Sequence, residues 1–480
     1  MSTKTKKILT LFEEINKVPR KSKNEEKISN WLVDWAKKHN FEVERDDVLN
    51  VLIKVPATPG YENKPTVVFQ GHMDMVCEKT PDSNHDFSKD PIKHIFEGDW
   101  LKADGTTLGA DNGIALAIAL EIAVDKTVLH PPLELLFTVD EETGLTGANA
   151  LKPGWLKGKI LLNLDSEDEG ILTVGCAGGR DTKITFKPQW SEPKGSSKQI
   201  EIKVSGLSGG HSGVDIALQR GNANQILARV LDSIASMAEI EIVTISGGSA
   251  HNAIPRDAVS VINIGVENVA KAIATAEKIG KKIKAEFKKR EPEMSITAAE
   301  VEPLNKKVIN AKESTDLINM MMSMPHGIAA MSNDIEGLVE TSNNFATIVV
   351  EEGEVVILSS QRSSVESRIE WITKKVEKSS FVANAEFKSG NGYPGWEPDM
   401  NSELLAKCVS VYEKLYYIKP VIEVIHAGLE CGIIGSKHEG MEMISYGPTI
   451  KFPHSPDEKM YVPSIEKIWD FTVELLKSYC

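Results

Sequence analysis

Apolar residues recur at helical spacing from Ile8 to Ile15 and again through Ile28, Leu32 and Trp35, which predicts two amphipathic helices early in the chain. The period then changes. Phe41 to Arg45 alternates, Asn50 to Lys54 is a short strand candidate, and Thr66 to Gln70, Leu133 to Thr138 and Lys159 to Asn163 are largely apolar runs of the kind buried on both faces of a sheet. Between them Gly113 to Val124 (GIALAIALEIAV) has almost no polar side and reads as a fully buried helix. Through about residue 185 this alternation of helices and strands favours an α/β layer architecture with a mainly parallel sheet.

Turn-forming residues crowd Pro188 to Ser197 (PQWSEPKGSS) and Ser389 to Asp399 (SGNGYPGWEPD), so the rhythm breaks twice. Strand patterns at Gln199 to Val204, Ile240 to Ile245 and Ala258 to Ile264 surround a helix with Ile226, Leu227, Val230, Leu231 and Ile234 on its apolar face. A second helix spans about Ala270 to Phe287, followed by a strand near Met294. The same order returns between Asp316 and Lys388, which suggests an α+β insertion made of two similar subdomains. Helix and strand patterns resume after Asp399. The expected division is therefore residues 1–187 plus 395–480 for one α/β domain, and 188–394 for the inserted α+β domain.

The 480 residues, 41% hydrophobic and 26% charged, suffice for two or three domains with cores of their own, and disorder is excluded as the main state. The net charge of −14 repels phosphate backbones, and no basic patch offsets it, so nucleic acid is not an expected partner. Lys278 to Arg290 reads as the solvated face of a helix, and Met320 to Met324 as packing. Cys77, Cys176, Cys408, Cys431 and Cys480 are odd in number and scattered without CxxC spacing, which points to a reducing compartment. No apolar run approaches the roughly 20 residues of a membrane span. The apolar ILTLF after MSTKTKK is too short for a signal-peptide core, and a cytoplasmic location without a membrane partner is expected. Nucleotide binding has no support, because GCAGG lacks the dinucleotide pattern and no GxxxxGK[ST] occurs.

Five constellations remain as candidate chemistry. His72 and Asp74 stand two apart just after the apolar strand VVFQ, where open α/β sheets place their sites, although such a pair also serves as a structural hydrogen bond. Asp111, flanked by Gly109 and Gly113, opens the buried helix, where an aspartate in isolation reads as its cap. Asp140, Glu141 and Glu142 follow the strand LELLFTV, either as a solvated acidic loop or as carboxylates compensated by cations. Asp165 is again an acid just beyond an apolar run, Lys159 to Asn163, with Glu167, Asp168 and Glu169 following. His454 is framed by Pro453 and Pro456 in a stiff loop. Together these supply two imidazoles and several carboxylates, the ligand mixture of a two-metal hydrolytic site.

The strings HMDMVCEK, GADNGIA, TVDEETG, NLDSEDEG, VGCAGG, GGHSGVDI, NAIPR, YPGW, HAGLECG and GPTIKFPHSPDE resemble the aminoacyl-histidine (Xaa-His) dipeptidases. These are a branch of the co-catalytic zinc exopeptidases that also holds the carboxypeptidase G and peptidase V types. The likeness covers essentially the whole chain. It implies that Asp111 bridges two divalent ions, with His72 and Asp165 completing one site and Glu142 and His454 the other. Zinc is the default metal, with manganese or cobalt as alternatives. Glu141 would be the general base and Asp74 would hold His72 in its ligating tautomer.

The resemblance further implies hydrolysis of dipeptides, Xaa-His or broader, by a metal-bridged water. The insertion would be a lid that binds substrate through His211, Asn252, Arg362 and Gly428, and that forms a homodimer or is enlarged to replace one. His251 stands where the family pattern has Arg, and Met324-Pro325-His326-Gly327 departs from its usual wording. Cys77 reads as a packed thiol, while His426 and Glu430 receive no role. The competing readings are an amidase or deacylase on the same scaffold, and a catalytically inactive binding protein.

Overall fold

A computed structural model of the chain describes residues 1–333, 335–390 and 392–480. Asp334 and Asn391, both within the expected insertion, lie outside the described residues. The chain divides into two compact units: Met1–Cys176 with Trp396–Val424 and Leu429–Cys480, and Ala177–Gly395 with Ile425–Gly428.

The first unit is built on an eight-stranded sheet. At its centre Val67–His72 runs parallel to both Leu133–Thr138 and Ile160–Asn163, and Ile160–Asn163 is parallel to Glu442–Ser445. Ile171–Cys176 runs in the same direction as its neighbour Val421–Ile425, the Val421 N–H donating to the Gly170 carbonyl and the Ala177 N–H to that of Ile425. Val51–Val55 pairs antiparallel with Leu133–Thr138 and with Glu42–Arg45, and Ile171–Cys176 pairs antiparallel with Glu442–Ser445. The sheet is mainly parallel, as expected, and its Glu42–Arg45 edge departs from that order because the short link to Val51–Val55 leaves room only for a hairpin. The central strands are fully buried, as their continuous apolar runs require.

Ala110–Val124 packs against Val67–His72 and against the N-terminal helix Thr3–Asn16. Its residues Ile114 to Leu120 are all enclosed, so this helix is held by tertiary burial on every side. A small sheet, in which His94–Glu97 and Trp100–Ala103 meet Lys459–Tyr461 and Ile450–Lys451, had no counterpart in the sequence pattern.

The second unit holds an eleven-stranded sheet. Outward from its middle, one side runs Ile240–Gly247, Ala258–Gly265, Ser197–Ser205, Ser295–Val301, and the other Val339–Glu351, Glu354–Ser363, Gly178–Phe186, Glu386–Ser389. Each half carries two helices, Ala223–Ala235 and Val269–Glu286 in one, Ala311–Ser323 and Glu366–Ser380 in the other, so the repeated order along the chain becomes a repeated order across one continuous sheet. Met320, Met321 and Met324 lie in its core. Gly178–Phe186, expected with the first domain, belongs here because it pairs along its whole length with Glu354–Ser363; the chain leaves the first unit after Cys176 rather than at 187.

Candidate metal centre

All but one of the acidic and imidazole side chains of the first-unit site are delivered by the ends of central elements. His72 is the last residue of Val67–His72, Asp165 follows Ile160–Asn163, and Glu141 and Glu142 open a single helical turn beyond Leu133–Thr138. Asp111 sits in the first turn of the buried helix, and its peptide bond to Asn112 is cis. His454 comes from the loop ahead of Lys459–Tyr461, in a left-handed conformation with φ of 61°.

The two histidines flank one carboxylate. His72 Nε2 is 3.1 Å from Asp111 Oδ1, and His454 Nε2 is 3.1 Å from Asp111 Oδ2. His72 Nε2 is also 3.4 Å from Asp165 Oδ1, and His454 Nε2 is 2.9 Å from Glu142 Oε2. His72, Asp111 and Glu142 present ligand-type atoms all within 4.8 Å of one another. Two ligands on one tetrahedral zinc stand ~3.3 Å apart, so the observed spacings suit atoms that share an ion. The donor chemistry agrees, since imidazole nitrogen and carboxylate oxygen are the ligands of zinc and its neighbours. Glu142 Oε1 is buried without a hydrogen-bond partner among the described residues, a costly state unless something binds there. The five residues expected as ligands are thus brought together, and they could hold two cations.

Asp74, fully enclosed, serves four neighbours. Its Oδ1 lies 3.3 Å from His72 Nδ1 and accepts the Glu141 N–H at 3.0 Å, while Oδ2 accepts the Ser22 hydroxyl at 2.8 Å and the Glu142 N–H at 3.3 Å. One carboxylate therefore steadies a ring and the turn that presents both glutamates.

The electrostatics are those of a crowded acidic site. Burial lifts the Glu141 carboxyl well above the usual range, and nearby Asp165 and Glu142 add to the effect. Burial likewise raises Glu142, aided by Asp111, and pushes Asp165 up to about 6. Hydrogen bonds to Asp111 and Glu142 raise His454 to about 11; for His72, burial opposes the charge but Asp165, Asp111 and Asp74 outweigh it. Carboxylates kept from ionising together and imidazoles held protonated are the pattern expected where positive charge is wanted.

Three contributors were not legible in the sequence. Glu458 accepts the N–H groups of Leu108 and Gly109 on Oε2 at 2.8 and 3.0 Å, and those of Ala110 and Asp111 on Oε1 at 2.8 and 3.4 Å. It is Glu458, and not Asp111, that caps the buried helix. Arg20, 1% exposed, donates to the carbonyls of Gly109 at 2.6 Å and Asp74 at 3.0 Å and to Asn16 Oδ1 at 2.9 Å. Glu430 accepts from Gln70 Nε2 at 2.5 Å and Thr138 Oγ1 at 2.6 Å, beneath the strand ends. The PHSPDE string contained Glu458 without indicating its target; nothing in the lysine-rich surroundings of Arg20 marked it as buried. Cys77 is half-buried, and its thiol is pushed up to about 11 by burial, as suits a packed group.

The remaining expected residues lie in the second unit. His211 Nδ1 accepts the N–H groups of Gly213 at 3.3 Å and Val214 at 3.1 Å, which places the proton of the neutral ring on Nε2. Burial and Arg362 depress its pKa to about 4. A side chain on Gly213 would meet His211, Arg362 and the His426 carbonyl, so these three stand around one point. Arg362, 7% exposed, donates to the Tyr393 hydroxyl at 3.0 Å, and Gly428 lies against the Tyr393 ring, closer than a Cβ would permit. Asn252 is exposed; its carbonyl accepts the Ser212 N–H at 2.8 Å. His251 pairs with Asp181 at 2.9 Å. His426, given no role from sequence, is buried with Nε2 2.8 Å from the Ser342 hydroxyl.

An α/β sheet with one histidine at a strand end and another on a neighbouring loop, both facing a shared aspartate, is the framework of a metal-dependent hydrolase. Residues 68–478 match the peptidase family M20/M25/M40, and the chain belongs to that family. It is 38% identical over 467 residues, 97% of this chain and 96% of the relative, to the cytosol non-specific dipeptidase of Escherichia coli. The crystal structure of an aminoacylhistidine dipeptidase from Vibrio alginolyticus superposes with a TM-score of 0.91 at 42% identity, covering 98% of this chain and 96% of that one. The aminopeptidase PepT of Bacillus cereus, 18% identical with a TM-score of 0.58 over 99% and 98% of the two chains, shares the fold.

Proposed function

We propose that this protein hydrolyses dipeptides, of Xaa-His or broader sequence, with two divalent ions, zinc by default, held by His72, Asp111, Glu142, Asp165 and His454. The observation that carries the reading is the pair of 3.1 Å approaches of His72 and His454 to the two oxygens of Asp111. The names of the E. coli and Vibrio relatives support the substrate class. Bound ions would lower the pKa of an attacking water and polarise the scissile carbonyl.

Glu141 takes the proton of that water and passes it to the departing amine. It has no ligand-range contact with either histidine of the kind Glu142 makes, and its raised carboxyl suits a proton carrier. Asp74 keeps His72 Nε2 directed at the ions by facing Nδ1. In the second unit, His211 donates its Nε2–H to the developing oxyanion. Arg362 pairs with the substrate carboxylate in the bidentate manner of guanidinium groups, and Asn252 and Gly428 complete the substrate contacts of this unit, which acts as the lid. A cytoplasmic location fits the E. coli relative's name, and homodimerisation through the lid is part of the same reading.

Metal analysis, combined with turnover of apo and reconstituted protein, tests the proposal. Carnosine, ordinary dipeptides, tripeptides and N-acyl amino acids are compared as substrates. Two ions per chain and turnover confined to dipeptides are expected; preference for N-acyl amino acids would make the protein a deacylase, and two bound ions with no turnover would make it a binding protein.

A further inference from the structure

We propose that Glu458 and Arg20 are positioning residues for the metal centre, which grip the loop of residues 108–111 by its backbone and thereby leave the Asp111 carboxylate free to face both histidines. The inference rests on the two-ion reading of the first unit. An aspartate in the first turn of a helix ordinarily turns back on the exposed N–H groups there. Asp111 does not: its two oxygens lie against His72 and His454. The N–H groups of Leu108, Gly109, Ala110 and Asp111 itself are held instead by the Glu458 carboxylate, which fixes the backbone that presents the Asp111 side chain.

The acceptor side of the same loop is held from the opposite direction. Arg20 donates to the Gly109 carbonyl at 2.6 Å, and Asn16, itself bonded to Arg20, donates to the Leu108 carbonyl at 2.9 Å. Both charges are enclosed, Arg20 at 1% and Glu458 at 2% exposure, so each gives the other charge balance across the loop. The packing is built around the guanidinium. Gly109 has φ of 68°, and a Cβ there or on Gly113 would stand 2.4 or 2.7 Å from Arg20 Nη2. Three ligand-bearing segments are joined in this way. Glu458 links the segment that carries His454 to the segment that carries Asp111, and Arg20 links the latter to the Asp74 carbonyl beside His72.

The test titrates Co²⁺ into apo protein, reading stoichiometry and affinity by calorimetry and coupling between the two ions by electron paramagnetic resonance. Wild type, Glu458→Gln, Arg20→Lys and a remote core variant, Leu475→Ala, are compared, the last showing what loss of stability alone does. Glu458→Gln keeps the shape but presents an amide to N–H donors, and Arg20→Lys keeps the charge but not the reach. In both, the second ion is expected to bind at least ~10-fold more weakly and the coupling signal to fall, while Leu475→Ala binds two ions as wild type does. If Glu458→Gln does not fold, Arg20→Lys alone decides. Wild-type affinity for both ions in the folded variants, or equal weakening in Leu475→Ala, overturns the proposal. A wild-type chain that takes up no ion pair overturns the two-ion reading, and this inference with it.

Discussion

Asp74 concentrates several tasks in one carboxylate, since it faces His72, accepts the N–H groups of Glu141 and Glu142, and is itself anchored by Ser22. Replacing it by alanine should leave His72 free to rotate and the glutamate turn uncapped; chelator competition should show metal affinity lower by about 10–100-fold. Glu141 differs in kind. Glu141→Ala should keep both ions by metal analysis while kcat falls by about 10²–10⁴. Unchanged turnover would remove it from the proton-carrying role. The spacing of His72 and Asp74 after an apolar strand made them candidates, because strand ends are where such pairs can converge, but the same spacing also fits a structural hydrogen bond. The division of labour proposed for the two adjacent glutamates was not readable from the local sequence: it rests on His454, more than three hundred residues away, lying 2.9 Å from Glu142.

Among the elements, the helix Ala110–Val124 was plain in the sequence from Gly113 onward, since an apolar run without a polar side has nowhere to go but the interior. Its beginning was not, because the group that caps it comes from the loop after His454. Leu116 is fully enclosed, and Leu116→Ala should cost about 2–5 kcal/mol in denaturant unfolding. The strands Ile171–Cys176 and Gly178–Phe186 escaped the pattern because the glycines of VGCAGG interrupt it, and the register that makes them strands is supplied by distant partners.

In the second unit, His426 carries a pH prediction. Burial, with Arg362 and His211 nearby, depresses its pKa to about 3, below its value of about 6.5 in an unfolded chain. Between those values the unfolded state binds the proton and the folded state does not, so the stability His426 contributes is full above about pH 6.5 and is lost as pH falls toward 3. In urea titrations the stability of wild type relative to His426→Gln should shrink over that window; a constant difference would contradict the assignment.

For the whole molecule, the first unit is discontinuous and the second is almost entirely one inserted stretch, and the metal candidates all belong to the first. Anything bound to the folded state alone stabilises it, by about 2.7 kcal/mol at a ligand concentration one hundred times its Kd. Chelation should therefore abolish turnover and raise hydrogen exchange within Val67–His72 and Ala110–Val124, while Val339–Glu351 in the second unit exchanges as before. The existence of an insertion was legible from the turn-rich breaks, but its true start was not, because Gly178–Phe186 is claimed by a strand nearly two hundred residues further on.

The discontinuity also sets an order of assembly during synthesis. His72, Asp111, Glu142 and Asp165 leave the ribosome together with the central strands, whereas His454 and Glu458 follow only after the whole second unit has been made. A nascent chain thus waits, while the whole second unit is synthesised, with a crowd of carboxylates that lack the second imidazole, and gains the last of its proposed ligands only afterwards.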